Sequence, residues 1–242
     1  MNSHAAEMVR APVRPSTAPS ALPRLAVDGV SKRWGRRRSL LVLDDVDVEL
    51  GASQLVAIVG ENGAGKTTFL RILSGLICPD RGTVRVDGLD PERNRREYQR
   101  RIGFLAAAST GLYARLNVRD HIDFWARIAL VPPERRAVRC LETMAVFDLL
   151  EIASRRVDRI SMGQRQRLRL AMAFLHEPNL LLLDEPYNSL DGRSAALLAS
   201  ALRASRSRGG TAVVCYALGQ EPTGDLAFDT TYILQDGRLR QT

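Results

Sequence analysis

The stretch Gly60-Glu61-Asn62-Gly63-Ala64-Gly65-Lys66-Thr67-Thr68 constrains this chain more than any other. It follows an apolar run, Gln54–Val59, that reads as a strand buried on both faces. It opens a helical pattern that starts at Lys66 and ends near Gly75. Strand, glycine-rich turn and helix in that order put backbone N–H groups where they can turn inward around an anion. The helix start adds its positive end. From Gly60 to Thr67 every fixed position of G-x-x-x-x-G-K-[ST] is met. In that pattern Lys66 reaches the β- and γ-phosphates and the Thr67 hydroxyl ligates Mg²⁺.

A phosphate loop of this kind needs a second carboxylate for the metal. Leu180-Leu181-Leu182-Leu183-Asp184-Glu185 supplies four apolar residues and then two acids. Asp184 would hold Mg²⁺ through water. Glu185 would accept a proton from the attacking water. Alone, such a run is an ordinary strand ending in a charged loop; beside the phosphate loop it completes a pair.

Composition sets the wider bounds. The chain has 242 residues, 45% hydrophobic and 26% charged, an ordinary globular balance that excludes a fully disordered chain. No run of about 20 apolar residues is present, so no spanning helix is expected, and the N-terminus lacks the apolar core of a secretory signal. Cys78, Cys140 and Cys215 form no CxxC pair and no metal pattern with the histidines. They read as small buried hydrophobes in a reduced, cytoplasmic setting. The net charge of +8, carried mostly by arginine, favours polyanions or anionic lipid surfaces. No basic stripe with interleaved aromatics is present, so nucleic acid is not an expected partner.

Residues 1–23 carry Pro12, Pro15, Pro19 and Pro23 among Ala, Ser and Arg and read as a disordered tail. Strands are expected at Leu25–Val30, Leu41–Leu50, 82–87, 101–105, Leu180–Leu183, Thr211–Tyr216 and Thr230–Gln235. Asp236-Gly237 then signals a hairpin into Arg238–Arg240. The middle, about 107–160, is mostly helical by period. Asn117 with Asp120 caps a helix through Leu130, Pro132-Pro133 breaks it, and a second helix runs from Glu134 to Phe147. Helices are also expected at Arg165–His176 and Ser194–Ser205. The result is one α/β domain with a helical insertion.

Ser161-Met162-Gly163-Gln164 reads as a capping box, Ser at the N-cap and Gln at N3. Gly163 in the first turn costs about 1 kcal/mol against Ala, which points to a close backbone approach. Here, over residues 24–240, the chain resembles the nucleotide-binding domain of ABC transporters. Ile160-Ser161-Met162-Gly163-Gln164 is similar to the family signature, and Asn188-Ser189-Leu190-Asp191 looks like its D-loop. Trp34 stands where the family carries an aromatic that stacks on adenine, although an edge-strand packing role is also open to it. The resemblance implies an α/β P-loop NTPase core, an N-terminal antiparallel β-subdomain and a helical signature-motif insertion: the ABC ATPase fold over residues 24–242. It implies ATP and Mg²⁺ as ligands. It also implies a head-to-tail homodimer or heterodimer in which Ser161 and its helix face the γ-phosphate bound by the other subunit. The insertion would carry the groove for a helix of a separate transmembrane permease subunit, at the cytoplasmic face of the membrane.

Two family residues are missing. The glutamine expected after the strand Ile102–Leu105 is replaced by Ala107, with Ser109 and Thr110 as nearby candidate substitutes. The histidine expected after the strand Thr211–Tyr216 is replaced by Leu218. The leading expectation is a transporter motor subunit, closest to stand-alone exporter ATPases. The alternative is a catalytically weak, ATP-gated dimerisation or regulatory module. A soluble ABC-type protein acting on nucleic acid or cluster assembly stands third. Phe124 and Trp125 are read as packing or groove residues, His176 as a partner of its helix C-terminus, and Arg36-Arg37-Arg38 as a solvated turn.

Overall fold

The structure is a computed structural model that describes residues 22–35, 40–107, 111–220 and 226–242. Nearly all of the tail, Arg36–Arg38, Ser109 and Thr110 lie outside the described residues. Two sheets form the frame. β1 (Leu25–Trp34) pairs antiparallel with β2 (Leu40–Leu50) on one side and β4 (Arg81–Val86) on the other. The second sheet has the order β5-β6-β7-β3-β8-β9, from β5 (Ile102–Leu105), β6 (Leu180–Asp184), β7 (Thr211–Ala217), β3 (Leu55–Gly60), β8 (Thr230–Gln235) and β9 (Arg238–Gln241). All its pairings are parallel except the β8–β9 hairpin. Asp236 and Gly237 both have positive φ, as the two-residue turn requires.

Strand alternation divides the core. On β3 and β7, Leu55, Ala57, Val59, Ala212, Val214 and Tyr216 face one way; Val56, Ile58, Val213 and Cys215 face the other. Successive side chains point to opposite faces of a strand, so a continuous apolar run supplies two cores at once. The first core is closed by α3 (Val118–Ile128), α4 (Pro133–Val146), α5 (Met162–Phe174) and α6 (Gly192–Ser207). The second is closed by the antiparallel sheet together with α1 (Lys66–Leu73) and α2 (Arg95–Arg100). Among the described residues no helix is long and apolar enough to cross a membrane.

Most expected elements occur within a few residues of their expected bounds. Asn117 caps α3, its side chain accepting from the Asp120 amide at 2.8 Å. Pro133 starts α4 at a position where its missing N–H is harmless. β1 runs on to Trp34, held by cross-strand pairs to Leu40 and Leu41. α5 begins at Met162, straight after its cap, rather than at Arg165, and ends at Phe174 rather than His176. α2 was not expected, because Arg95–Arg100 carries a single apolar residue. That residue, Tyr98, is fully buried and its hydroxyl donates to the Leu73 carbonyl at 2.6 Å, which anchors the helix. Cys140 and Cys215 are buried as expected, but Cys78 is exposed in the loop before β4.

β5 and α5 meet at Gly103. A Cβ there would lie 2.1 Å from the Ala173 carbonyl oxygen and 2.7 Å from Pro178. Gly103→Ala should therefore destabilise the fold by about 1–3 kcal/mol or more through overpacking. Urea unfolding of the native and variant chains measures the difference, with the slope against denaturant unchanged.

Candidate functional site

β3 carries the chain to Gly60, where a Cβ would sit 2.5 Å from the Leu234 carbonyl of β8. The turn that follows places Gly63 and Gly65 at φ of 88° and 106°. Gly63 has open space around it, whereas a Cβ at Gly65 would press on Val42 at 2.9 Å. Gly65 is the N-cap of α1 and offers no side-chain cap, and the first turn carries no acidic residue, so the helix start keeps its positive end. Glu61, Asn62 and Gly63 are exposed and Ala64 half-buried. Lys66 is buried and folds back, its Nζ donating to the carbonyls of Gly60 at 2.8 Å and Glu61 at 2.9 Å.

Thr67 Oγ1 donates to Asp184 Oδ2 at 2.7 Å, joining the first turn of α1 to the end of β6. Asp184 is 1% exposed, and its Oδ1 is buried with no hydrogen-bond partner among the described residues. Burial pushes its carboxyl above the usual carboxylate range. The Thr67 hydrogen bond opposes this, the Glu185 charge adds to it, and the Ala107 amide and the Lys66 charge oppose it more weakly. A buried, half-satisfied carboxylate beside a hydroxyl is a donor set suited to a hard divalent cation. These residues fit Mg²⁺. Glu185 follows at φ 49°, a left-handed conformation that a non-glycine residue adopts at a cost. Its amide donates to the Cys215 carbonyl at 2.9 Å, and its Oε2 accepts from Asn188 Nδ2 at 2.7 Å. The side chain is thereby aimed by the loop that follows it.

Trp34 is 44% exposed at the end of β1, its Nε1 3.4 Å from Thr68 Oγ1 and Lys32 Nζ 5.3 Å from its ring centre. Leu218 stands directly after β7, its amide donating to the Gly60 carbonyl at 3.3 Å and its side chain 53% exposed. Ala107 lies exposed just beyond β5. Neither has a group that could hydrogen-bond a phosphate or a water through its side chain.

Ser161 caps α5 in a full capping box: its Oγ accepts from the Gln164 amide at 3.2 Å and the Gln164 side chain accepts from the Ser161 amide at 2.9 Å. Within one chain this helix end adjoins the Asn188–Asp191 loop. Ser189 Oγ is 3.5 Å from Met162 Sδ, and a Cβ on Gly163 would meet the Ser189 carbonyl at 3.5 Å. No described hydrogen bond joins Ser161–Gln164 to the phosphate loop. Asp191 caps α6, accepting from the Ser194 amide at 2.8 Å, and those hydrogen bonds hold its carboxyl below the usual range. His176 does not serve its own helix. Its Nε2 stands 3.1 Å from the Ile102 carbonyl, and burial pushes the ring toward the neutral form.

Sequence reading missed one connection. Arg169, 7% exposed on α5, donates to Gln166 Oε1 at 2.7 Å and to the Ala106 carbonyl. Gln166 Nε2 in turn donates to the Pro186 carbonyl at 3.1 Å. The chain after β5 is thus tied to the residue after Glu185. A lone arginine inside the apolar run Leu168–Phe174 was the available signal.

A glycine cradle, a helix N-terminus and a buried metal-type carboxylate define a phosphate-loop nucleotide-binding domain. The family described as ABC transporter matches residues 43–188, and the chain belongs to it. The ABC transporter ATP-binding protein NatA of Bacillus subtilis is 33% identical over 162 residues, covering 66% of each chain. The daunorubicin resistance ATP-binding protein DrrA3 of Streptomyces coeruleorubidus is 34% identical over 215 residues, 89% of this chain and 66% of that one. The Fe(3+) ions import ATP-binding protein FbpC of Pasteurella multocida is 29% identical over 217 residues, 90% of this chain and 60% of that one. The chain therefore spans 60–66% of the length of these relatives. Among solved structures, an ATP-binding subunit of an ABC transporter superposes with a TM-score of 0.80 at 26% identity, covering 90% of this chain and 89% of that one. A dimeric bacterial ABC transporter cassette superposes with 0.77 at 25% identity, covering 90% and 97%. The ABC ATPase fold read from the sequence is the fold observed.

Because the folded Asp184 carboxyl titrates above its unfolded value, the folded state holds more protons between the two values. Stability contributed at low pH is lost as pH rises through that window. Asp184→Asn should make the nucleotide-free protein more stable than the native chain at pH 7. The gain should vanish below the unfolded carboxyl value of about 3.9. Denaturant midpoints at several pH values test this, and magnesium should no longer shift them in the variant.

Proposed function

We propose that the chain is the ATP-binding and ATP-hydrolysing motor subunit of an ABC transporter. It works at the cytoplasmic face of the membrane with a separate transmembrane permease subunit. The observation that carries this reading is the buried Asp184 carboxylate, bonded to the Thr67 hydroxyl at the end of the phosphate loop, with Glu185 following it. ATP would lay its phosphates along Gly60–Gly65 and the N-terminus of α1, with Lys66 exchanging its two carbonyl partners for phosphate oxygens. The exposed Trp34, next to Thr68, would stack on adenine. Thr67 and Asp184 would hold Mg²⁺, which supplies charge neutralisation on the β- and γ-phosphates. Glu185, oriented by Asn188, would take a proton from the water that attacks the γ-phosphorus as the bond to the β-phosphate oxygen breaks.

Dimerisation follows from the same residues. Ser161 and the α5 N-terminus would point their hydroxyl and N–H groups at the γ-phosphate of a second copy or a sibling chain. Gly163 supports this, since its own chain approaches no closer than an ordinary contact there and leaves the glycine to be required from outside. Asp191 and the loop before it would lie beside that junction. Loss of the γ-phosphate removes the shared anion and opens the dimer. Export is the direction the sequence expectation favours; the relatives include both a daunorubicin resistance protein at 34% identity and sulfate/thiosulfate import proteins at 31–33%.

A weakly hydrolysing, ATP-gated module is the second reading, favoured by Leu218, exposed and bonded through its backbone amide to the Gly60 carbonyl, and by the methyl group at Ala107. Both make the same first prediction: ATP binding with slow turnover by the isolated protein. A positioned acid–base group is worth about 10²–10⁴-fold in rate. Glu185→Gln should therefore lower turnover by a comparable factor and trap an ATP-bound dimer visible by light scattering. Leu218→His should raise turnover by roughly ten-fold or more. Fast native turnover, insensitive to Leu218→His, would show that the two missing groups are compensated. No ATP binding at all would end both readings.

A further inference from the structure

Arg169 interrupts a stretch of α5, Leu168–Phe174, that is otherwise apolar. It is 7% exposed. A guanidinium loses hydration at such a position, and an apolar side chain of similar volume would fill the space without that loss. Packing alone does not call for an arginine there; its contacts do. Arg169 lines two cavities: a groove of about 600 Å³ between α2, the end of β5 and the helical layer, and a cavity of about 450 Å³ bordered by Ala107, Met162, Asn188 and Ser189. It therefore stands between the outer groove and the loop that follows Glu185.

Arg169 donates to the Ala106 carbonyl, just beyond β5. That oxygen and the Ala107 N–H belong to one planar trans peptide group and point in opposite directions. On the amide side lies Asp184, whose charged form the Ala107 N–H favours. A cation on the oxygen of a peptide polarises it and makes the N–H a better donor. One guanidinium thus fixes the plane of this peptide and directs its amide toward the acid that Thr67 also holds. Ala107 has no side-chain group for that task, so the backbone itself must be placed. The second contact reaches Glu185. Gln166 is 6% exposed; its Oε1 accepts from Arg169 at 2.7 Å, which turns its Nε2 to donate to the Pro186 carbonyl at 3.1 Å. The Glu185 amide is tied to the Cys215 carbonyl, so the backbone is held both before and after the Glu185 Cα.

We propose that Arg169 is a positioning residue for ATP hydrolysis: it sets the Ala106–Ala107 peptide against Asp184 and, through Gln166, holds the backbone that follows Glu185. It acts through those two acids and the peptide between them. This rests on the role given to Glu185 in the reading above, and adds to it the group that keeps Glu185 and its neighbour in register where the expected glutamine is absent.

The test measures phosphate release at saturating ATP and magnesium, and ATP affinity by calorimetry, on variants of the full chain. Arg169→Met keeps the volume and removes the donors. It should leave ATP affinity within about two-fold and lower kcat by about ten- to hundred-fold, because small displacements at a reacting centre cost factors of that size. Arg169→Lys keeps the charge without the planar fork that spans Ala106 and Gln166, and should fall between the two. Gln166→Glu still accepts from Arg169 but no longer donates to Pro186; kcat should drop roughly two- to ten-fold, the worth of one hydrogen bond. Two further readouts separate positioning from support of the fold. In the Glu185→Gln background, Arg169→Met should add far less than it does alone, since residues that act as a unit are not additive. Guanidinium ion at about 50 mM, far below the molar range that unfolds proteins, should raise the kcat of Arg169→Ala by about three-fold or more through the adjoining cavities, and sodium chloride at that concentration should not. An unchanged kcat in Arg169→Met overturns the proposal, as does a loss that is fully additive with Glu185→Gln and deaf to guanidinium; either leaves the Glu185 reading intact. If Arg169→Met binds no ATP and so is not folded, Gln166→Glu decides: lower kcat at native ATP affinity supports the proposal and unchanged kcat overturns it. If Glu185→Gln itself leaves turnover unchanged, the reading of Glu185 falls and the proposal falls with it.

Discussion

Everything in this molecule is hung on a strand that water never touches. β3 is buried along its whole length, flanked by β7 and β8, and its alternating side chains feed two cores on opposite faces of the sheet. Such a strand has no freedom to slip, because a one-residue shift would exchange the two sets of side chains. Its C-terminal end is therefore fixed, and that end is Gly60. The Gly60 carbonyl takes hydrogen bonds from Lys66 and from the Leu218 amide, and the Leu234 backbone closes off any side chain. The phosphate loop inherits its position from this junction.

The same rigidity explains how the protein tolerates Asp184. A carboxylate at the end of a fully buried strand loses much of its hydration, and the Thr67 hydroxyl replaces only part of it. Glu185 follows in a left-handed backbone conformation. Two unfavourable features in adjacent residues persist because β6 and β7 over-determine the backbone around them. That is the pattern expected where stability has been given up for chemistry.

The second layer of organisation is the buried Arg169. It costs solvation, and burial lowers its affinity for its proton, yet it is tied to Ala106 and Gln166. Ala107 has no side-chain group to relay a signal toward the nucleotide. The Arg169 bridge, through Gln166 to Pro186, is a physical connection between the groove side and the Glu185 side of the same helix.

The phosphate loop, the Asp184–Glu185 pair, the Ser161 cap and the hairpin at Asp236-Gly237 were legible in the sequence because each is a local arrangement. Turn chemistry, capping and an apolar run act over a few neighbouring residues, and no distant partner can change what they require. Helix α2 was not legible, since Tyr98 earns its place only by reaching the Leu73 carbonyl, 25 residues away in the chain. His176 was misassigned for the same reason: its partner is the Ile102 carbonyl on another element. Only tertiary structure could bring Thr67 to Asp184, the Leu218 amide to the Gly60 carbonyl, or Arg169 to the Ala106 carbonyl. Those are contacts between segments far apart in the chain, and they are decided by how the layers pack, not by any periodicity a single segment carries.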